Sequence, residues 1–75
     1  MFSKEFFSSR LLALRKSKGI NQATLGQIAG ISQFAISKIE KGERAASIEV
    51  LCALADFFDV SLDYLVGRSD DPTRR

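Results

Sequence analysis

Histidine is missing from this 75-residue chain, and cysteine occurs once, at Cys52. A single cysteine excludes a disulfide framework within the chain, and with no histidine there is no zinc site of the Cys–His kind. The missing imidazole also removes the commonest general base, which argues against an enzyme. No apolar run approaches the ~18 residues that a membrane span requires. The opening MFSKEFFSSR carries an acid and breaks its apolar run with Ser and Arg, unlike a secretory signal. The expectation is a cytoplasmic protein with no cofactor and no metal. Cys52 then reads as a semi-buried small apolar residue rather than a redox switch. Proline is as scarce as cysteine, and its one copy, Pro72, lies near the C-terminus.

What is present describes a folded domain. Hydrophobic residues make up 45% of the chain and charged residues 27%, too apolar for a disordered segment. One domain of this length retains only a few kcal/mol of net stability, so its core must pack efficiently. The net charge of +2 conceals an asymmetry. Residues 1–44 hold eight Lys or Arg against three Asp or Glu, and residues 45–75 hold three against six. A basic half joined to an acidic half suggests one face that meets an anion and another that avoids it. Chance scatter along an amphipathic chain would look the same at such small counts.

No stretch alternates long enough for a strand, and the punctuation is glycine: Gly19, Gly30, Gly42 and Gly67. Each follows a segment with helical spacing, where a left-handed residue ends a helix cheaply. Asn21, Ser32, Ser47 and Ser61 follow as N-caps. Five helices result, over residues 4–18, 22–29, 33–41, 48–58 and 62–66. Phe7, Leu11 and Leu14 form the apolar stripe of the first; Ile48, Leu51, Leu54, Ala55 and Phe58 form that of the fourth. Residues 1–67 read as the domain. Residues 68–75, RSDDPTRR, read as a disordered polar tail or the start of a linker. The second and third helices are short and joined by AGIS. A brief glycine-containing turn between two short helices is a helix-turn-helix signature.

The stretch LRKSKGINQATLGQIAGISQFAISKIEKG closely resembles the Cro/cI-type repressor family of helix-turn-helix proteins. Its continuation SIEVLCALADFFDVSLDYLVG resembles the same family, so the likeness covers roughly residues 7–67. Gln22, Leu25, Gly30, Ser32, Ile36, Ser37, Ile39, Glu40, Gly42 and the run SLDYL carry it. Gly26 departs from it, where the family usually has Ala, at about 1 kcal/mol of helix propensity; Ala46 departs where the family often has Pro. The resemblance implies an all-α, five-helix, lambda-repressor-like fold. It also implies a transcriptional regulator, a repressor that binds double-stranded DNA as a homodimer with the third helix in the major groove.

The resemblance assigns a base contact to Gln33 and places Phe34 beside it, and Ser37 and Lys38 join them as base-contact candidates on the same outer face. A Gln amide pairs with adenine N6 and N7, and a ring can cover a thymine methyl. A Lys reaches guanine or phosphate, and a Ser hydroxyl can donate to either a base or a phosphate. The alternative for Phe34 is a ring folded back over the second helix. Phosphate contacts fall to Asn21, Gln22, Ser32, Lys41 and Arg44, with Gln22 also braced against Gln33. Arg10, Lys16 and Lys18 are weaker long-range candidates. Arg15 and Glu40 are expected as a buried ion pair. Phe6, Val50 and Phe57 read either as an exposed dimer patch or as the edge of the core. The competing reading is a protein-interaction module, such as an antitoxin or the anchoring domain of a larger regulator, with Phe34 and this patch as its contact surface.

Overall fold

The computed structural model describes residues 3–74. Its elements are α1 (Lys4–Ser17), α2 (Gln22–Ala29), α3 (Gln33–Glu40), α4 (Ile48–Phe58) and α5 (Leu62–Leu65). Among the described residues there is no strand. The bounds of α2 and α4 match the sequence reading. The other three helices stop one residue early, because Lys18, Lys41 and Val66 serve as C-caps.

Short polar side chains start every helix. Asn21, Ser32, Ser47 and Ser61 each accept a hydrogen bond from the backbone N–H three residues ahead. Each such cap contributes about 1 kcal/mol. Ser3 does the same for α1, accepting from Phe6 N at 3.1 Å. That cap escaped the sequence reading because no glycine stop precedes it. The C-cap of α4 escaped it too. Asp59, not a glycine, takes the left-handed conformation there, with φ 56°. Aspartate is one of the few residues whose short polar side chain tolerates that region.

The core takes one or two fully buried side chains from every helix. They are Phe7 and Leu11 of α1, Leu25 of α2, Ile36 and Ile39 of α3, Leu54 of α4 and Leu65 of α5. Helix α2 packs on α3 and α4, while α1 packs on α3 and α5. The buried arc of α4 is rotated from the expected stripe. Val50, Leu54, Ala55 and Phe58 are buried, while Ile48 is 60% exposed. At 100° per residue Ile48 lies about 120° from Leu54, beyond that arc.

This rotation corrects two expectations. Val50, at 8% exposure, belongs to the core and cannot share a surface patch with Phe6 and Phe57. Phe57 is half-buried, with its ring edge-on to Phe58 at 5.0 Å. Phe6 alone of the three is exposed, and the proposed patch does not form. Cys52 is exposed rather than semi-buried, on the solvent side of the same helix.

Gly26 is buried where α2 meets the turn. A Cβ at this position would lie 2.7 Å from the Ile31 carbonyl oxygen, and 3.2 and 3.3 Å from Ser32 C and Gln33 N. All three are backbone atoms. The glycine that looked like a weakness in α2 allows the start of α3 to sit directly against it.

The expected tail is not free within the described residues. Pro72 O accepts from Ser61 N at 3.1 Å. Arg10 of α1 donates to Tyr64 O at 2.8 Å, to Ser69 O at 2.9 Å and to Asp70 at 3.3 Å. Arg74 donates to Ala55 O at 2.8 Å and to Asp56 at 2.7 Å. Polar residues without an apolar stripe still dock here, because two arginines find backbone carbonyls and acidic partners.

Candidate nucleic-acid interface

Helix α3 presents two rows to solvent. At about 100° per residue Gln33, Ser37 and Lys41 stack in one row, and Phe34 and Lys38 in the next. Gln33 and Lys41 are exposed and Ser37 is half-buried. Phe34 is 70% exposed, so its ring is not folded over α2. Instead the Lys38 ammonium stands 5.0 Å from the centre of that ring. A cation over an aromatic face at an exposed site contributes about 0.5–1 kcal/mol. Lys38 Nζ also lies 3.5 Å from Glu43 Oε1. Both partners of that pair are substantially exposed, so it adds little stability. The sequence reading missed Glu43, because α3 ends at Glu40 and no helical spacing rule reaches beyond it.

The start of α2 lies beside α3 in the packed pair. Asn21 Oδ1 accepts from Thr24 N at 2.8 Å. The N–H groups of Gln22 and Ala23 have no partner among the described residues. Open N–H groups at a helix start, with the positive end of its dipole, form a site for an anion. Ser32 caps α3 in the same manner, accepting from Ala35 N at 3.0 Å. Lys41 and Arg44 are exposed just beyond α3.

Arg15 and Glu40 form the expected pair. Arg15 Nε donates to Glu40 Oε2 at 2.6 Å, and Nη2 donates to Oε1 at 3.1 Å. The Glu40 side chain is 4% exposed. Two expectations for neighbouring residues fail. Gln22 does not brace Gln33 here: its Nε2 donates to Glu40 Oε1 at 3.0 Å, because the buried carboxylate is the stronger acceptor within reach. Arg10 is withdrawn as a phosphate candidate, because its guanidinium is occupied by Tyr64 O, Ser69 O and Asp70. It also stacks on the Tyr64 ring at 4.0 Å and the Phe6 ring at 5.1 Å.

The charge asymmetry of the sequence survives in space. Lys38, Lys41 and Arg44 gather on α3 and the loop after it, while Asp56, Asp59 and Asp63 gather around the end of α4 and the start of α5. Arg74 answers Asp56 at 2.7 Å and Asp59 at 3.8 Å. Among the described residues no group of three His, Cys, Asp or Glu side chains could hold a metal ion. No helix among the described residues is long and apolar enough to cross a membrane.

A short helix packed at Gly26 directly against the turn leads into a second short helix with an exposed polar face. A family model described as helix-turn-helix matches residues 11–65. The chain belongs to this helix-turn-helix family. The domain is similar to the repressor protein C2 of Salmonella phage P22, 39% identical over 62 residues, which are 83% of this chain and 29% of that protein. It is also similar to the transcriptional regulator AnsR of Bacillus subtilis, 39% identical over 59 residues, which are 79% of this chain and 51% of AnsR. Among solved structures, the P22 c2 repressor in complex with a synthetic operator superposes with a TM-score of 0.80. It is 38% identical and covers 85% of this chain and 97% of that one. The restriction-modification controller protein C.AhdI of Aeromonas hydrophila superposes with a TM-score of 0.75 at 30% identity, covering 84% and 91%. The helix-turn-helix domain spans from 14% to 59% of the length of PrpR of Mycobacterium tuberculosis, YobD of B. subtilis and the two curated relatives above. The family is one of DNA-binding regulators and not of enzymes, and the five-helix fold is that of the phage repressors.

Proposed function

We propose that this helix-turn-helix domain acts in the cytoplasm as a sequence-specific transcriptional repressor. It binds a two-fold operator as a homodimer, with α3 in the major groove. The observation that carries this reading is the outer face of α3, with Gln33 and Phe34 in its first turn and Lys38 in its last, beside the open N–H groups of α2. A helix start that takes phosphate, next to a helix face that mixes an amide, a ring and a cation, suits register on the backbone and readout of bases together. Phosphate contacts then come from Asn21, Gln22, Ser32, Lys41 and Arg44, and base contacts from Gln33, Phe34, Ser37 and Lys38.

Selection of bound duplexes from a random pool, with light scattering on the complex, tests this reading. A symmetric consensus and a two-to-one complex are expected. Failure to retard any DNA in a mobility-shift assay at low salt would favour the protein-interaction module. Gln33→Ala is expected to relax preference at one base pair per half-site, at about 1–3 kcal/mol. An unchanged preference across operator variants removes Gln33 from the base-reading set.

Phe34 calls for a different assay. Its ring offers apolar area and no donor, so its partner on the duplex is the C5-methyl of thymine. Uracil in place of the contacted thymine is expected to weaken binding by about 0.8 kcal/mol per methyl. Equal affinity for the two duplexes would argue against the contact.

A further inference from the structure

The Arg15–Glu40 pair is more than a buried charge. Each partner also holds the entry to α2. Arg15 Nη1 donates to Ile20 O at 2.9 Å, two residues before that helix begins. Glu40 Oε1 accepts from Gln22 Nε2 at 3.0 Å, on the first residue of the helix. Three helices meet at this point: Arg15 comes from α1, Gln22 opens α2 and Glu40 closes α3. A carboxylate can only accept hydrogen bonds. The pole of the Gln22 amide that faces Glu40 must therefore be its NH2 group. One N–H is committed inward, and the second N–H and the carbonyl oxygen are left in a set orientation. Arg15 neutralises Glu40 at close range, so an acid can stand beside a helix start that receives phosphate without repelling it.

We propose that Glu40 is a positioning residue for DNA binding: held by Arg15, it sets the side-chain amide of Gln22 at the phosphate-facing start of α2. This inference rests on the DNA-binding reading above. It differs from a purely structural role, in which the pair would stabilise the fold and leave Gln22 indifferent to it.

Glu40→Asp separates the two. It keeps the charge opposite Arg15 but withdraws the carboxylate by one methylene from Gln22. The affinity of the domain for the best duplex from the random pool is measured with Glu40→Asp, Gln22→Ala and the double variant, at a temperature where circular dichroism shows each to be folded. Glu40→Asp is expected to weaken binding about five- to tenfold in the presence of Gln22, and not at all in the Gln22→Ala background. An equal loss in both backgrounds, or no loss in either, would overturn the inference while wild-type binding keeps the DNA reading intact. Absence of wild-type binding would overturn both. A measurement on the unaltered domain covers the case in which Glu40→Asp does not fold. The Gln22 side-chain amide protons are expected to exchange with water more slowly than those of exposed Gln27 and Gln33, by NMR. Equal exchange for all three overturns the assignment.

Discussion

Glu40→Ala is expected to lower the unfolding free energy by about 3 kcal/mol. The reason lies in what stays behind. Arg15 keeps its bond to Ile20 O but loses both contacts to the carboxylate, with only 15% of its side chain exposed to water. Gln22 loses its acceptor at the same time. Removing one partner of a buried pair costs about 3–5 kcal/mol, and the surviving Ile20 contact places this case at the lower end. For a domain of this size the loss corresponds to a fall in Tm of roughly 12–24 °C. That is most of the stability such a small core can supply. Thermal unfolding followed by circular dichroism measures it. A fall of under 5 °C would mean that the pair is solvated in solution. Arg15→Met combined with Glu40→Leu is expected to recover part of the loss, because matched apolar groups carry no desolvation cost. The recovery stays incomplete, since Ile20 O and Gln22 then lack their partners.

Gly26→Val is expected to be as damaging, through contact rather than charge. The first carbon of any side chain at Gly26 already meets Ile31 O at 2.7 Å. Valine adds two methyls to that collision, and the atoms opposite are backbone, which cannot rotate away. Overpacking a tight site costs about 1–3 kcal/mol and occasionally more, and this site falls at the upper end or beyond. The better helix propensity of valine, a few tenths of a kcal/mol over glycine, does not offset it. Urea denaturation provides the stability. The fraction that still folds is expected to bind DNA more weakly, because a wider turn moves Gln33 and Phe34 relative to Asn21 and Gln22. Wild-type stability in the valine variant would show that the turn yields without cost.

Much of this architecture is legible in local sequence. A cap acts within four residues, so Asn21, Ser32, Ser47 and Ser61 announce helix starts with no knowledge of the fold. Glycine stops act over the same range. Asp59 is the exception, because aspartate takes the left-handed region only where the rest of the structure holds it there. The outward position of Phe34 was legible as well, since its neighbours at helical spacing are polar. Ile48 and Val50 were not. Periodicity places Ile48 in the apolar stripe of α4 and leaves Val50 off it, but the arc that becomes buried depends on where α2 and α5 press against that helix.

The amino-acid order thus settled five helices, the helix-turn-helix pair, the basic half and the outward face of α3, because each of these rests on interactions between near neighbours. Assembly in three dimensions settled the rest. It assigned Gln22 to Glu40, brought Arg10 onto the C-terminal segment and Arg74 of that segment onto the end of α4, moved Val50 into the core, and turned Gly26 from a weak point into a requirement. Those outcomes join residues that are far apart in the chain or depend on how closely helices pack. Local propensity does not encode such distances, and packing does.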